Sequence, residues 1–312
     1  MKISFCTTCM GRAHHLKQTL PQNIRDNPST NGVEVEFVVL NYNSHDDLHE
    51  WMTTDPEMVD GIRSGLIKYA RTTEPKFFHT AHAKNMAHRL SSDDVDIVCN
   101  LDSDNFLGKG FSLFLAKVFR EYPDSIINPS HKVSRFFPAD ERGFLGRIAL
   151  SRKTFMLLGG YDESFKGWGG EDNNLVRRAK GYGLRHYRFQ EMSFLKIIAH
   201  DNLLRIKNMF NLLAQPEALE NLNNKMFREG LLTKAWARVS EVARPVQVNG
   251  GGFGIGQVNH GLSGELKVLS RMEIRELSML NMVAWGMIEL VRGRIYPRLA
   301  SPFPADRADG PL

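Results

Sequence analysis

The sequence predicts an α/β fold, a mostly parallel central sheet flanked by helices, with a helical C-terminal extension. Three observations carry this. Short β-branched and apolar runs alternate with helix-period stretches over residues 1–201, the pattern of a parallel sheet covered by helices. One strand candidate runs directly into Asp102-Ser103-Asp104, at the carboxyl edge where such sheets bind ligands. A glycine-rich stretch from Gly159 to Gly170 leads into the carboxylates Glu171 and Asp172, at the head of a helical pattern.

The elements follow in order. Lys2 to Thr8 is an apolar run that reads as a buried strand, followed by a turn through Gly11 and Arg12. Leu16, Leu20 and Ile24 mark a helix face, and Val33 to Tyr42 is β-branched enough for a second strand. Asp46 to Met52 reads as a short helix, Leu66 to Ala70 as a third strand, Ala81 to Leu90 as a helix and Val95 to Leu101 as a fourth strand. Phe111 to Tyr122 is helical and Ser125 to Asn128 a strand candidate, followed by a polar, arginine-rich loop from His131 to Arg142. Gly146 to Ser151 is a strand and Arg152 to Leu158 a short helix. Leu184 to Phe189 and Phe194 to Ala199 are further short strands, the second ending at His200-Asp201.

Beyond Asn202 the pattern is helical, giving an expected C-terminal region over 202–300 and a disordered tail over 301–312. The glycine-rich segment 248–264 lacks the lysine of a phosphate-binding loop and reads as a mobile loop or lid. Glu265 to Arg294 carries helix-spaced apolar residues, with Arg292, Arg294 and Arg298 at its end. Such a basic amphipathic helix suits peripheral contact with a membrane surface. Packing against the main domain or a partner subunit is the commoner use of that pattern.

The 312 residues are 42% hydrophobic and 24% charged, which excludes the disordered and fibrous classes. A net charge of +5 suits an anionic substrate or an anionic membrane surface; no nucleic-acid partner is expected. Cys6, Cys9 and Cys99 argue against a disulfide framework and for a reducing compartment. Cys6 and Cys9 have CxxC spacing with no second pair to complete a zinc site, so they read as buried small hydrophobes. The start of the sequence is too short for a signal peptide. No apolar run approaches the roughly 20 residues of a membrane span. The expected location is cytoplasmic.

Two motifs carry chemistry. Asp102 and Asp104, at i and i+2 on a strand end, point to one side and can share a divalent cation. Hard oxygen ligands of this kind suit Mn²⁺ or Mg²⁺ holding a diphosphate. His200 is placed to enter as a third ligand from the same face. In the other motif, glycines let the backbone approach a ligand closely. Glu171 and Asp172 would occupy the first turn of a helix, which favours negative charge and suits a general base.

The ordered set of strand, DxD, Gly167-Trp168-Gly169-Gly170-Glu171-Asp172 and His200 resembles the GT-A glycosyltransferases. Within them it is most similar to the β-1,4-galactosyltransferase and polypeptide N-acetylgalactosaminyltransferase branch, along with bacterial family 2 enzymes. The likeness is densest from Asp96 to Asp201, and includes Ile148 to Phe155 and Gly160-Tyr161-Asp162. It implies a transferase domain over 1–201, with a nucleotide-binding half (1–101) and a metal and acceptor half (102–201).

By the same resemblance, Asp104 and His200 ligate Mn²⁺ (or Mg²⁺), and Asp102 touches the ribose or the metal. Asp172 takes the acceptor proton, and Glu171 binds donor or acceptor sugar. Trp168, Gly169 and Gly170 line the sugar pocket. Thr7, Thr8, Arg12, Lys84 and Asn85 fall on the nucleotide side. Asn41-Tyr42-Asn43-Ser44 departs from the family by replacing the acidic residue often used for base recognition. The implied reaction is inverting transfer from a UDP-sugar, galactose or N-acetylgalactosamine favoured, to a glycan or lipid-linked saccharide.

Rival readings are a nucleotidyltransferase and a catalytically silent carbohydrate-binding protein on the same fold. The first would use DxD and a cation but lacks a Gly–Lys phosphate cradle. The second is opposed by the presence of all three acidic positions and the histidine. The sequence assigns no oligomeric state.

Overall fold

The computed structural model describes residues 1–30, 32–138, 143–165, 169–200, 246–274 and 277. The first half alternates as expected: β1 (Lys2–Cys9), α1 (Ala13–Asp26), β2 (Glu34–Tyr42), α2 (Leu48–Thr54), α3 (Pro56–Arg63), β3 (Ile67–Thr72), α4 (Thr80–Arg89) and β4 (Ile97–Asn100). Then come α5 (Phe111–Glu121), β5 (Ser125–Pro129), β6 (Ala149–Ser151), α6 (Arg152–Leu157), α7 (Glu171–Tyr182), β7 (Arg185–Phe189), β8 (Gly256–His260) and β9 (Glu265–Leu269).

Among the described residues these strands form one sheet in the order β7-β5-β6-β4-β1-β2-β3-β8-β9. Its centre, β4-β1-β2-β3, is parallel. β6 enters antiparallel between β4 and β5. β1 and β2 are buried along nearly their whole length because both sheet faces are covered. Phe5, Phe37, Val39, Leu16, Leu20 and Phe111 pack in the largest core cluster. The thiols of Cys6, Cys9 and Cys99 are buried there and beside it. Burial pushes those of Cys9 and Cys99 up to about 12.

Local signals explain the helix ends. Asp55 caps α3 by accepting from the backbone N–H groups of Glu57 and Met58, with Pro56 in the first turn. This helix, absent from the sequence reading, fills the α2-to-β3 connection. Ser151 caps α6 by accepting from the N–H of Thr154. No described helix is long and apolar enough to cross a membrane.

The glycine-rich segment is not a lid. Asn249–Gly251 is a 3₁₀ turn, and β8 and β9 form a hairpin that extends the sheet beyond β3. Phe253 is fully buried beside Phe155, and the carbonyls of Phe253 and Gly254 accept hydrogen bonds from Arg89. A helix was expected from Glu265, yet β9 occupies Glu265–Leu269. Cross-strand pairing with Gly256–His260 overrides the helical spacing there. Gly256–His260 and Glu265–Leu269 therefore belong to the sheet rather than to a separate helical addition. The expected helices over 202–245, the basic helix end and the tail 301–312 lie outside the described residues.

Candidate active site

β4 ends at Asn100, and the chain turns at once, with Asn105 N–H donating to the Asp102 carbonyl at 3.0 Å. The turn ends the strand alternation that would have aimed Asp102 and Asp104 to one side. Asn100 fixes the turn by donating to Asp102 Oδ1 (3.1 Å) and to the Gly146 carbonyl (3.0 Å). Beneath it lies Arg147, fully buried, donating to Asn105 Oδ1 (3.0 Å) and the carbonyls of Phe106 (2.9 Å) and Phe194. Sequence reading missed Arg147, since a charged residue before a strand carries no periodic signal.

Asp104 faces His200. Its Oδ2 lies 2.5 Å from His200 Nε2 and 3.4 Å from Arg12 Nη1, which is itself 3.1 Å from the imidazole. The expected strand over Phe194–Ala199 is replaced by a 3₁₀ turn (Met192–Phe194) and one β-bridge between Asn105 and Ile197. Hydrogen bonds from Phe106 N–H to Lys196 and from Ile198 N–H to Asp104 bring His200 alongside. Burial opposes the charge on Asp104, but the hydrogen bond from His200 and the Arg12 guanidinium outweigh it and hold its pKa below the usual value. His15, in the first turn of α1, stacks on His200 with ring centroids 5.4 Å apart. Its Nδ1 is buried without a partner among the described residues, and burial lowers its pKa to about 4, so the ring is neutral.

The second cluster sits at the start of α7. Gly170 precedes the helix at φ 105°, a left-handed conformation that only glycine adopts readily. Glu171 and Asp172 therefore open the helix, as expected. Lys84 of α4, with 4% of its side chain exposed, donates to Asp172 Oδ1 at 2.7 Å and Glu171 Oε1 at 3.1 Å. The ammonium also stands 5.0 Å from the centre of the Tyr161 ring. Burial opposes the charge on Lys84, and Asp172 and Glu171 more than offset it, so its pKa is raised well above normal. Asp172 keeps 28% of its side chain exposed, yet burial pushes its pKa up to about 7 against the pull of Lys84. Asp102 is likewise raised by burial. Glu171 Oε2 and the Tyr161 hydroxyl are buried with no partner among the described residues.

Gly146 lies between Asp102 and the second cluster. A Cβ there would lie 3.0 Å from Asp102 Oδ2 and 3.1 Å from Asp172 Oδ2. Both carboxylates thus converge over a residue that has no side chain.

Several expected placements change. Lys84, expected on the nucleotide side, meets the acidic pair. Asn85 is fully buried: its Nδ2 donates to the Tyr161 carbonyl and Glu163 Oε1, and its Oδ1 accepts from Tyr161 N–H. It clamps the glycine-rich loop, because a Cβ on Gly160 would stand 2.3 Å from its Oδ1. Asp102 Oδ2 lies against Gly146, and the charges of both Lys84 and Asp104 act on it. Thr7 is buried in the sheet, leaving Thr8 the more accessible of the two. Gly169 and Gly170 are half-buried at positive φ. Trp168 lies outside the described residues.

Among the described residues no group of three or more His, Cys, Asp or Glu side chains is placed to hold a metal ion. Asp104 and His200 already meet, and a carboxylate with an imidazole is a donor set that suits Mn²⁺. The pair fits part of a divalent-cation shell.

Residues 132–201 match the family described as the N-terminal domain of galactosyltransferase. No curated protein sequence matches the chain. Among solved structures, a mannosyltransferase from Pyrobaculum calidifontis, in complex with GDP-Man and Mn²⁺, aligns with a TM-score of 0.52 at 16% identity, covering 77% of this chain and 70% of that one. TarS from S. aureus, in complex with UDP-GlcNAc, aligns with a TM-score of 0.49 at 14% identity, over 72% of this chain and 65% of that one. A Drosophila β-1,4-galactosyltransferase 7 variant with manganese, UDP-Gal and xylobiose aligns with a TM-score of 0.42 at 16% identity, over 70% and 79%. The mannosyltransferase likeness shows the GT-A fold. Together with the family match it points to a glycosyltransferase.

Proposed function

We propose that the chain is a metal-dependent, inverting glycosyltransferase that moves a sugar from a UDP-sugar to a hydroxyl of a glycan or lipid-linked saccharide. The observation that carries this is the convergence of Asp172 Oδ2 and Asp102 Oδ2 over Gly146, beside a separate carboxylate–imidazole pair. One group of side chains is suited to a proton and the other to a cation and its diphosphate. Single displacement needs both.

In this reading Asp104 and His200 hold the cation, which supplies Lewis-acid stabilisation of the leaving diphosphate. The P. calidifontis structure, which carries Mn²⁺, supports a divalent ion. Arg12, on the same carboxylate and imidazole, adds positive charge where the leaving group becomes more negative. Asp172 accepts the proton of the acceptor hydroxyl as that oxygen attacks the anomeric carbon. One C–O bond forms, the bond to the diphosphate breaks with its electron pair, and the anomeric centre inverts. Glu171, with one oxygen buried and without a partner among the described residues, accepts a hydrogen bond from a sugar hydroxyl. Galactose or N-acetylgalactosamine is the sugar favoured by the sequence resemblance, and the galactosyltransferase match over 132–201 supports the first.

The test is thermal denaturation with UDP, with GDP, with Mn²⁺, with each nucleotide plus Mn²⁺, and with EDTA added. Ligand at about 100 times its dissociation constant adds roughly 2.7 kcal/mol of stability. A rise that needs UDP and Mn²⁺ together supports the donor site. A rise with GDP instead would replace the nucleotide, and no rise with either would remove the function.

A further inference from the structure

We infer that Lys84 is the positioning residue of the acidic pair, and that it selects Asp172 Oδ2 as the oxygen that takes the acceptor proton. The inference rests on the transferase reading above and adds to it an atom and a residue.

Asp172 has two oxygens in different surroundings. Oδ1 accepts a 2.7 Å hydrogen bond from the Lys84 ammonium. Oδ2 lies within 3.1 Å of where a Gly146 Cβ would be, a position that is also 3.0 Å from Asp102 Oδ2. A carboxylate oxygen held by an ammonium at that distance is a poorer base than its partner, because the charge-assisted bond stabilises the lone pairs it occupies. That leaves Oδ2, the oxygen not held by Lys84, as the one to receive the incoming hydroxyl.

Lys84 is built for holding and not for reaching. It has three donor hydrogens. Two are directed to Asp172 Oδ1 and Glu171 Oε1, and the ammonium faces the Tyr161 ring at 5.0 Å. With 4% of its side chain exposed, it has no reserve of surface for a phosphate. Its backbone is fixed on α4, whose next residue, Asn85, clamps the loop that leads to Glu171. The lysine and the carboxylates it holds are thus anchored to each other twice. Freed of Lys84, the Asp172 side chain could rotate about its χ angles, and Oδ2 would lose its fixed direction over Gly146.

The experiment uses the full chain and the variants Lys84→Met and Lys84→Arg. The measurements are Mn²⁺-dependent UDP affinity and steady-state transfer from a UDP-sugar to an acceptor saccharide. Lys84→Met is expected to keep UDP affinity within about twofold while kcat falls about 100-fold, the lower range for loss of a positioned base. Lys84→Arg, which keeps the charge, should recover about tenfold of that loss. A folded Lys84→Met that loses UDP affinity places the lysine at the nucleotide and overturns the inference, as does one with unchanged kcat. If Lys84→Met does not fold, Lys84→Arg decides alone: lowered kcat with UDP affinity kept supports the role, and the reverse overturns it. Wild-type protein with neither nucleotide binding nor transfer overturns the transferase reading and this inference together. An active wild type with indifferent variants overturns this inference only.

Discussion

Asp104 and His200 stand 96 residues apart in the chain and meet through a 2.5 Å contact between Oδ2 and Nε2. A single β-bridge between Asn105 and Ile197, with the backbone hydrogen bonds around it, joins the two segments. If the pair holds a cation, His200→Ala removes one of its ligands. The expected outcome is a Mn²⁺ requirement raised at least tenfold, with UDP affinity falling in parallel. Titration of Mn²⁺ against UDP-dependent thermal stability checks it. An unchanged titration would take His200 out of the metal shell.

Asp172→Asn keeps shape and the contact with Lys84 through the amide oxygen, but removes the base. Transfer should fall by about 10²- to 10⁴-fold, the range of general base catalysis. Mn²⁺-dependent UDP binding should persist. Undiminished turnover would assign the proton to another group.

The pH dependence has a defined sign. Burial raises Asp172 to about 7, and the base must be ionised to accept a proton. Activity should therefore climb with pH through about 7 and level off above it. Stability runs the other way: the folded pKa lies above the unfolded value, so this group's stabilisation is complete below about 4 and is lost as pH rises through about 7. Paired pH profiles of kcat and of thermal stability check both limbs. In Asp172→Asn the stability change over that window should disappear.

Much of this arrangement was legible in the sequence. Apolar runs located β1, β2 and β4, and the glycines before Glu171 located the start of α7, because buried parallel strands and left-handed caps leave local marks. Lys84 and Asn85 were singled out without their partners in the fold, since nothing local tells a lysine that meets two carboxylates 87 and 88 residues away from one reaching for a phosphate. Arg147 and His15 were missed for the same reason: their roles exist only through contacts distant in sequence. The β8–β9 hairpin was read as a loop and a helix because glycines obscure strand alternation, while Leu266 and Leu269 happen to fit helical spacing.

Gly146→Ala tests the convergence of the carboxylates directly. The added Cβ would press on Asp102 Oδ2 at 3.0 Å and Asp172 Oδ2 at 3.1 Å, closer than ordinary contact. Asp172 must yield by a few tenths of an ångström and turn Oδ2 from its direction. Misplacement of about 1 Å can cost about 10²-fold in rate, so this smaller shift should lower kcat about tenfold. UDP affinity should change little, because Asp104 and His200 do not touch that position. Parallel losses of kcat and UDP affinity would mean that Gly146 shapes the donor site instead.

Asn85→Ala separates holding the loop from touching the nucleotide. Three hydrogen bonds disappear, but the losses are unequal. The Tyr161 carbonyl keeps its bond from Asn249 Nδ2 (2.7 Å), and Glu163 Oε1 keeps that from Gly254 N–H (2.6 Å). The Tyr161 N–H, which donates to Asn85 Oδ1 at 2.7 Å, is left buried and unpaired. One orphaned backbone donor and the small cavity should destabilise the fold by about 2–3 kcal/mol. Denaturant unfolding measures this, and the slope with denaturant should not change. UDP affinity of the folded variant should match wild type. Lost UDP affinity without lost stability would return Asn85 to the nucleotide site.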